Sequence, residues 1–295
     1  MQNQAVIKET PVYSESKIRW SKASRKISAI TGVVLIILVG SFFFLPWLWL
    51  LSSSLKTLDQ IFIQPPQWIP NPIAWNNFSK AITYIPFFEY MGNTLVICAF
   101  VVIGRVFSCS LVAYGFSRIR WPGRDIVFVF VLATMMLPFQ VTMIPLYVIF
   151  SRVKLVNTII PLVLPAFFGD AFFIFLLRQF FLSIPRELQE AAIIDGANHF
   201  DIYWQLILPL ARPALITLVI FSFLWTYTDF QGPLIYLTSP EKWTLSLGLR
   251  GYFSVHGAQW SLLMAASLLF TLPVLILFFF AQRSFIEGIV TTGLK

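Results

Sequence analysis

Few residues in this 295-residue chain are equipped for chemistry, and those that are fall into three places. The first is a polar break at 183–210, where Glu190-Ala191-Ala192 is followed after three residues by Gly196 and after nine more by Leu206-Ile207-Leu208-Pro209. One acid beside two alanines with almost no side chain, then a glycine free to bend left-handed, suits close approach by another protein. The second place is Asp170, and the third is the run Thr226-Tyr227-Thr228-Asp229-Phe230-Gln231-Gly232-Pro233. Both lie in apolar stretches, where an acid must meet water, a solute or a partner group. Such a charge at a membrane centre costs about 2.5–3.5 kcal/mol on insertion scales. This is the chemistry of docking and hydrogen bonding, not of bond breaking. The chain has no Gly-Lys pair and so no phosphate loop, no Gly-x-Ser-x-Gly elbow and no His-Glu-x-x-His pair. Its two histidines, His199 and His256, stand far apart, and no metal-ligand spacing appears. No metal is expected. Cys98 and Cys109 would lie about 16 Å apart along one helix, too far for a disulfide.

The elements that must position these residues are membrane helices. The chain is 58% hydrophobic and 12% charged, with 31 Phe and 10 Trp, a balance foreign to soluble domains. Apolar runs near 28–51, 88–113, 125–149, 160–182, 211–237 and 260–283 are each long enough to cross about 30 Å of hydrocarbon as helix. A membrane barrel would instead show alternating segments of about ten residues. The reading is all-α, polytopic, with six transmembrane helices. Of the 21 Lys and Arg, fourteen fall on the side of the termini and of the 183–210 loop, six on the other, and Arg105 lies within a span. By the excess of basic residues on cytoplasmic loops, both termini are cytoplasmic. The net charge of +8 is thus explained by topology, and nucleic acid is not an expected partner. The first apolar run lacks a small-residue cleavage pattern and reads as an uncleaved helix.

The organisation expected is a cytoplasmic arm at 1–27, a first helix and external loop at 28–87, a five-helix core at 88–284 and a cytoplasmic tail at 285–295. The proline-rich 52–87 loop, with Trp68 and Trp75, reads as ordered; its aromatic residues suit either a docking face or the membrane interface. In span three, Pro138 and Pro145 bracket Gln140 and Thr142 and should kink the helix. That kink either lines a path or only improves packing. Asp170, placed toward the external half of span four, either meets a solute hydroxyl or a basic group, or caps a helix start. In the 183–210 loop, Ser183 as cap and Pro185 in the first turn predict a short helix to Asp195, stopped by Gly196. Asn198 or Asp201 caps a second short helix, and Pro209 and Pro213 separate it from span five.

The Glu190 to Pro209 spacing resembles the EAA loop of the membrane-spanning subunits of bacterial ABC importers, with Leu206 in place of the family's isoleucine. Tyr114 to Arg124, with its Pro122-Gly123 turn and three arginines, resembles the corresponding turn of the carbohydrate-import branch. So do Leu155-Val156-Asn157-Thr158 and the tail Arg283-Ser284-Phe285-Ile286-Glu287-Gly288. The stretch around Asp229 matches that branch at Asp229, Phe230, Pro233 and Leu234 and departs from it at Thr228, Gln231 and Gly232. The resemblance covers spans two to six. It implies a permease subunit of a maltose-porter type importer in the bacterial inner membrane, of type I ABC importer permease fold. It implies a second permease, two ATPase subunits that bind ATP and Mg, and an extracytoplasmic solute-binding protein as partners. The chain itself would hold no cofactor and would not be the enzyme. Glu190, Ala191, Ala192, Gly196, Leu208 and Pro209 would form the ATPase-coupling loop, with Gln140, Thr142, Asp170, Thr228, Asp229 and Gln231 as candidates for the translocation path. The alternatives are a gradient-driven secondary carrier, or an ABC permease for a non-sugar solute.

Overall fold

The computed structural model describes residues 15–254 and 257–292. Residues 1–14, 255–256 and 293–295 fall outside the described residues, as do the side chains up to residue 27 and those from 283 onward, which include the Arg283 to Gly288 tail. Apart from a two-residue ribbon pairing Phe253–Ser254 with Gly257–Ala258, the described residues are helical or loop. The main helices are α1 (Glu15–Ser54), α2 (Asn76–Tyr84), α3 (Phe87–Ser117), α4 (Arg124–Thr134), α5 (Phe139–Arg152), α6 (Ala171–Ser183), α7 (Arg186–Ile194), α8 (His199–Leu210), α9 (Arg212–Tyr227), α10 (Gln231–Tyr236) and α11 (Trp260–Thr292).

Among the described residues, four segments are long and apolar enough to cross a membrane: Ser28–Ser54, Phe87–Ser117, Ile160–Ser183 and Trp260–Phe280. Counting the bent pairs α4 with α5 and α8 with α9 as one span each gives six. The bend between α4 and α5 is 94°, sharper than a proline kink within one helix. Pro138 donates no hydrogen bond and biases the residue before it out of helical geometry, so the chain breaks at Met135–Pro138, whereas α5 runs on through Pro145. The arm also departs from expectation. α1 begins at Glu15, because no proline or glycine lies between there and the first apolar run to stop the helix.

The central element is α3. Its apolar residues go right round the helix, and many are buried, including Cys98, Val101, Cys109 and Ala113. One core cluster joins α3 to α6, α8 and α9 through Tyr114, Phe173, Leu177, Phe181, Ile207 and Leu218. A second joins the other end of α3 to α2, the 245–252 turns and α11 through Phe87, Tyr90, Leu245, Tyr252 and Ala265. α1 packs chiefly against α11 and leaves Val33 to Phe44 largely exposed.

The 52–87 loop is ordered. Asn77 Nδ2 donates to the carbonyls of Ser54 and Lys56 at 2.9 and 2.8 Å, and Trp49 meets Trp68 edge-on at 5.2 Å. Lys56 is buried with its Nζ 4.0 Å over the Trp49 ring, and burial lowers its pKa from the ordinary lysine value. On the same end of the molecule Asn157, at φ 63°, clips two loops together. Its N–H donates to Tyr236 O, its Nδ2 to Ser239 Oγ, and its Oδ1 accepts from the N–H groups of Thr238 and Ser239. Asn157→Ala removes the side-chain bonds and strains the left-handed backbone. The expected loss is about 2–3 kcal/mol of local stability, read as faster proteolysis at 153–159 in the purified protein.

Candidate functional site: a docking loop and a membrane cavity

The loop is built largely from local signals. Gly196 takes φ +88° and ends α7, with Ala197 N–H donating back to Ala192 O at 2.9 Å. Asn198 then caps α8, its Oδ1 accepting from Phe200 and Asp201 N–H while Asp201 Oδ2 accepts from Asn198 N–H. The start of α7 differs from expectation. Ser183 Oγ donates to Phe180 O at 2.7 Å, so this residue closes α6, and Pro185 takes the cap position of α7. α8 runs through Pro209 and gives way at Ala211 to α9, which turns off by 76°.

What ties the loop to the spans is α3. Tyr203 Oη lies 2.7 Å from Ser110 Oγ, and Tyr114 Oη lies 3.3 Å from His199 Nδ1. The Tyr114 and Tyr203 rings pack edge-on at 5.3 Å. Arg118, buried, donates to the carbonyls of Phe181 and Ile184 at the end of α6. Residues Ile202–Ile207 form a π turn within α8, which buries Ile202, Tyr203 and Ile207 against this anchor.

The opposite face of the loop is open. Glu190, Ala191, Gly196 and Pro209 are exposed, and a Cβ added at Gly196 would meet nothing within 4 Å. Ala192 and Leu208 point the other way. Both are partly buried against the chain's own core, so only Ala191 of the alanine pair is free for close approach. Around these residues Leu188, Ile193, Ile194, Phe200 and Trp204 are exposed, with Ile194 at 85% and the Phe200 and Trp204 rings stacked at 6.5 Å. Glu190 shares a cleft of about 400 Å³ with Arg118, Arg120, Arg186 and His199 of this same chain.

The second site is a cavity of about 220 Å³ among the spans. Arg105 projects from α3, with its Nη1 donating to Ser222 Oγ of α9 at 3.2 Å and its Nη2 3.5 Å from Asp170 Oδ2. Asp170 therefore has both of the roles open to it. It also caps α6, its Oδ1 accepting from Phe172 N–H at 3.1 Å. It sits level with Arg105, eighteen residues into α3 and about 27 Å from its Phe87 end, in the external half of the span Ile160–Ser183. Asp229 stands at the break between α9 and α10, with Oδ1 accepting from Gly232 N–H at 3.1 Å. A Cβ added at Gly232 would come within 2.5 Å of Asp229 Oδ2, so the carboxylate in this position packs against a bare backbone. Trp225, backed by Phe172, Phe173 and Phe221, also lines the cavity, as do Thr94, Thr226 and Thr244.

Of the residues read from sequence as path candidates, the cavity brings together Asp170 and Asp229. Thr228 and Gln231 are exposed beside it without lining it, and the Thr228 hydroxyl donates to Leu224 O of its own helix. Gln140 and Thr142 lie on α5, away from the cavity lining; Thr142 Oγ1 donates to Phe139 O.

Residues 107–290 match the family described as the binding-protein-dependent transport system inner membrane component. The chain belongs to that family. The permease is 33% identical over 227 residues to the arabinooligosaccharides transport system permease protein AraQ of Halalkalibacterium halodurans, covering 77% of this chain and 81% of the relative. It is 30% identical over 273 residues to the diacetylchitobiose uptake system permease protein DasC of Streptomyces coelicolor, covering 90% and 95%. Its fold matches a chain from the crystal structure of a bacterial ABC transporter involved in import of the acidic polysaccharide alginate. That match has a TM-score of 0.76 at 23% identity, over 93% of this chain and 99% of the other. The family is one of transport-system membrane subunits.

Sequence reasoning passed over several residues of the permease's two sites. Arg105 is the basic residue placed deep inside a span, which is signal enough to seek an acidic partner, but the partner lies 65 residues away. Nothing in the sequence separates the exposed Phe200 and Trp204 from the many buried aromatic residues. The Arg105 and Asp170 pair has a testable weight. Arg105→Met alone strands the carboxylate and should lower thermal stability more than Arg105→Met with Asp170→Asn, giving a double-mutant coupling of about 1 kcal/mol or more in the purified protein.

Proposed function

We propose that this permease is one of two membrane subunits of an ATP-driven importer, translocating a carbohydrate delivered by an extracytoplasmic binding protein. The observation that carries this reading is the 183–210 loop: an apolar face around Glu190, Ala191 and Gly196, left open among the described residues, on a frame fastened to α3 by Tyr203, His199 and Arg118. Exposed apolar patches rimmed by charge mark protein interfaces. In this reading the face seats on an ATPase subunit, two copies of which bind ATP and Mg. Both termini and the loop lie on the cytoplasmic side, in accord with the distribution of Lys and Arg. Closure of the ATPase pair moves the loop, the loop moves α3, and α3 carries Arg105 at the cavity wall. The saccharide class is supported by the relatives, whose names assign them arabinooligosaccharides and diacetylchitobiose.

Affinity purification from the native membrane in mild detergent should recover an ATPase and a second, similar permease. A lone chain that shows ion-gradient-dependent uptake after reconstitution would overturn the proposal in favour of a secondary carrier. Within the assembly, Gly196→Trp should abolish uptake with membrane insertion intact, because it strains a left-handed residue and fills open space on the docking face. Glu190→Lys should weaken retention of the ATPase during purification. It adds a fourth cation to a cleft already lined by Arg118, Arg120 and Arg186.

A further inference from the structure

The cavity among the spans has an electrostatic character that limits what it can hold. Arg105 is the one basic residue among its lining residues, against the two acids Asp170 and Asp229. That cation is already engaged, by Asp170 at 3.5 Å, by Ser222 at 3.2 Å and by the Phe173 ring at 5.4 Å. Two of the acid oxygens, Asp170 Oδ1 and Asp229 Oδ1, are committed to backbone N–H groups of the adjoining helix starts, which fixes both carboxyl groups in place. Threonines at 94, 226 and 244 add polar lining, and Trp225, 45% exposed, offers a ring held from behind by three phenylalanines. A fixed aromatic surface with acids beside it is the chemistry that binds a polyol ring: apolar C–H faces against the indole, hydroxyls donating to carboxylate oxygen. A volume of about 220 Å³ has room for one sugar unit at a time rather than a whole oligomer.

We propose that this cavity is a subsite for an uncharged saccharide unit and discriminates against uronic and other acidic sugars. The inference rests on the importer reading and adds to it the charge class of the solute. Among the lining residues of this chain, a sugar carboxylate entering here meets a single guanidinium, already paired with Asp170. It must either displace Asp170 from Arg105 or sit beside two fixed acids in surroundings that screen poorly. A neutral ring incurs neither cost.

The test uses the assembly purified from its native membrane, without the binding protein, so that the permease's own preference is read. Trp fluorescence is titrated with neutral trisaccharides of glucose, arabinose, xylose and N-acetylglucosamine, and with trimers of glucuronate, galacturonate and mannuronate. At least one neutral trimer should give a saturable change that is lost in Trp225→Phe, and every acidic trimer should bind at least about tenfold more weakly. Asp229→Asn keeps the Arg105 and Asp170 pair and should narrow that gap by about threefold or more. An acidic trimer that binds as tightly as the best neutral one overturns the proposal. So does a signal that survives in Trp225→Phe, or the absence of any saccharide-dependent signal. Recovery of an ATPase and a second permease in the same preparation leaves the importer reading standing when the subsite falls; their absence sinks the importer reading whichever trimer binds.

Discussion

A guanidinium held among apolar helices is the constraint from which much of this architecture follows. Arg105 lies about 18 Å from the Ser117 end of α3, too deep for its side chain to reach an aqueous surface by extension alone. Its charge must be answered inside the protein, and Asp170 answers it. That demand explains why span four is not one continuous helix. The chain breaks at Gly169 so that Asp170 can sit at the start of α6, where the same carboxyl group also serves the free N–H of Phe172. Span five is interrupted at the same cavity, with Asp229 Oδ1 accepting from Gly232 N–H in the first turn of α10. Two broken helices and one charged side chain on an unbroken helix thus form a polar chamber that a bundle of continuous apolar helices would lack. Backbone freed at such breaks is tolerated in a membrane only where protein or water satisfies it.

The unbroken helix has the complementary part. From Thr94 to Arg118, α3 covers about 36 Å as a single rod. It meets the 245–252 turns at one end through Thr94, whose hydroxyl accepts from Leu245 N–H. It meets the chamber at Arg105 and the docking loop at Ser110, Tyr114 and Arg118. Because the contacts at Ser110 and Arg105 are about 7.5 Å apart along one rod, a displacement at the loop cannot be absorbed before it reaches the chamber. One helix touches both sites.

How much of this was legible in the sequence divides along the range of the forces involved. The six apolar runs, the left-handed stop at Gly196 and the Asn198 cap are set by neighbouring residues and could be read directly. The acid at 170 and the acid at 229 were conspicuous for the same reason, though that they face one chamber was not. What escaped depends on tertiary placement. Ser183 bonds back to Phe180 because α6 continues through it, and Ala192 turns inward because α8 covers it. The break at Met135–Pro138 exceeds the bend a proline imposes by itself, and so moves Gln140 and Thr142 away from the chamber. At Gly232, a departure from the pattern of the carbohydrate branch, the Asp229 carboxylate lies close against the backbone.

The stacked Phe200 and Trp204, with Ile193 and Ile194 beside them, have a bearing on biogenesis as well as on transport. A copy inserted into the bilayer ahead of its counterparts holds this greasy ledge out in water, where nothing in its own fold can shield it. Orphan subunits are therefore the sticky ones, open to self-association and to quality-control proteases that recognise exposed apolar segments. On the proposed reading, the ledge ties the cellular lifetime of the chain to the supply of whatever covers it, so that stoichiometry among components is enforced after synthesis.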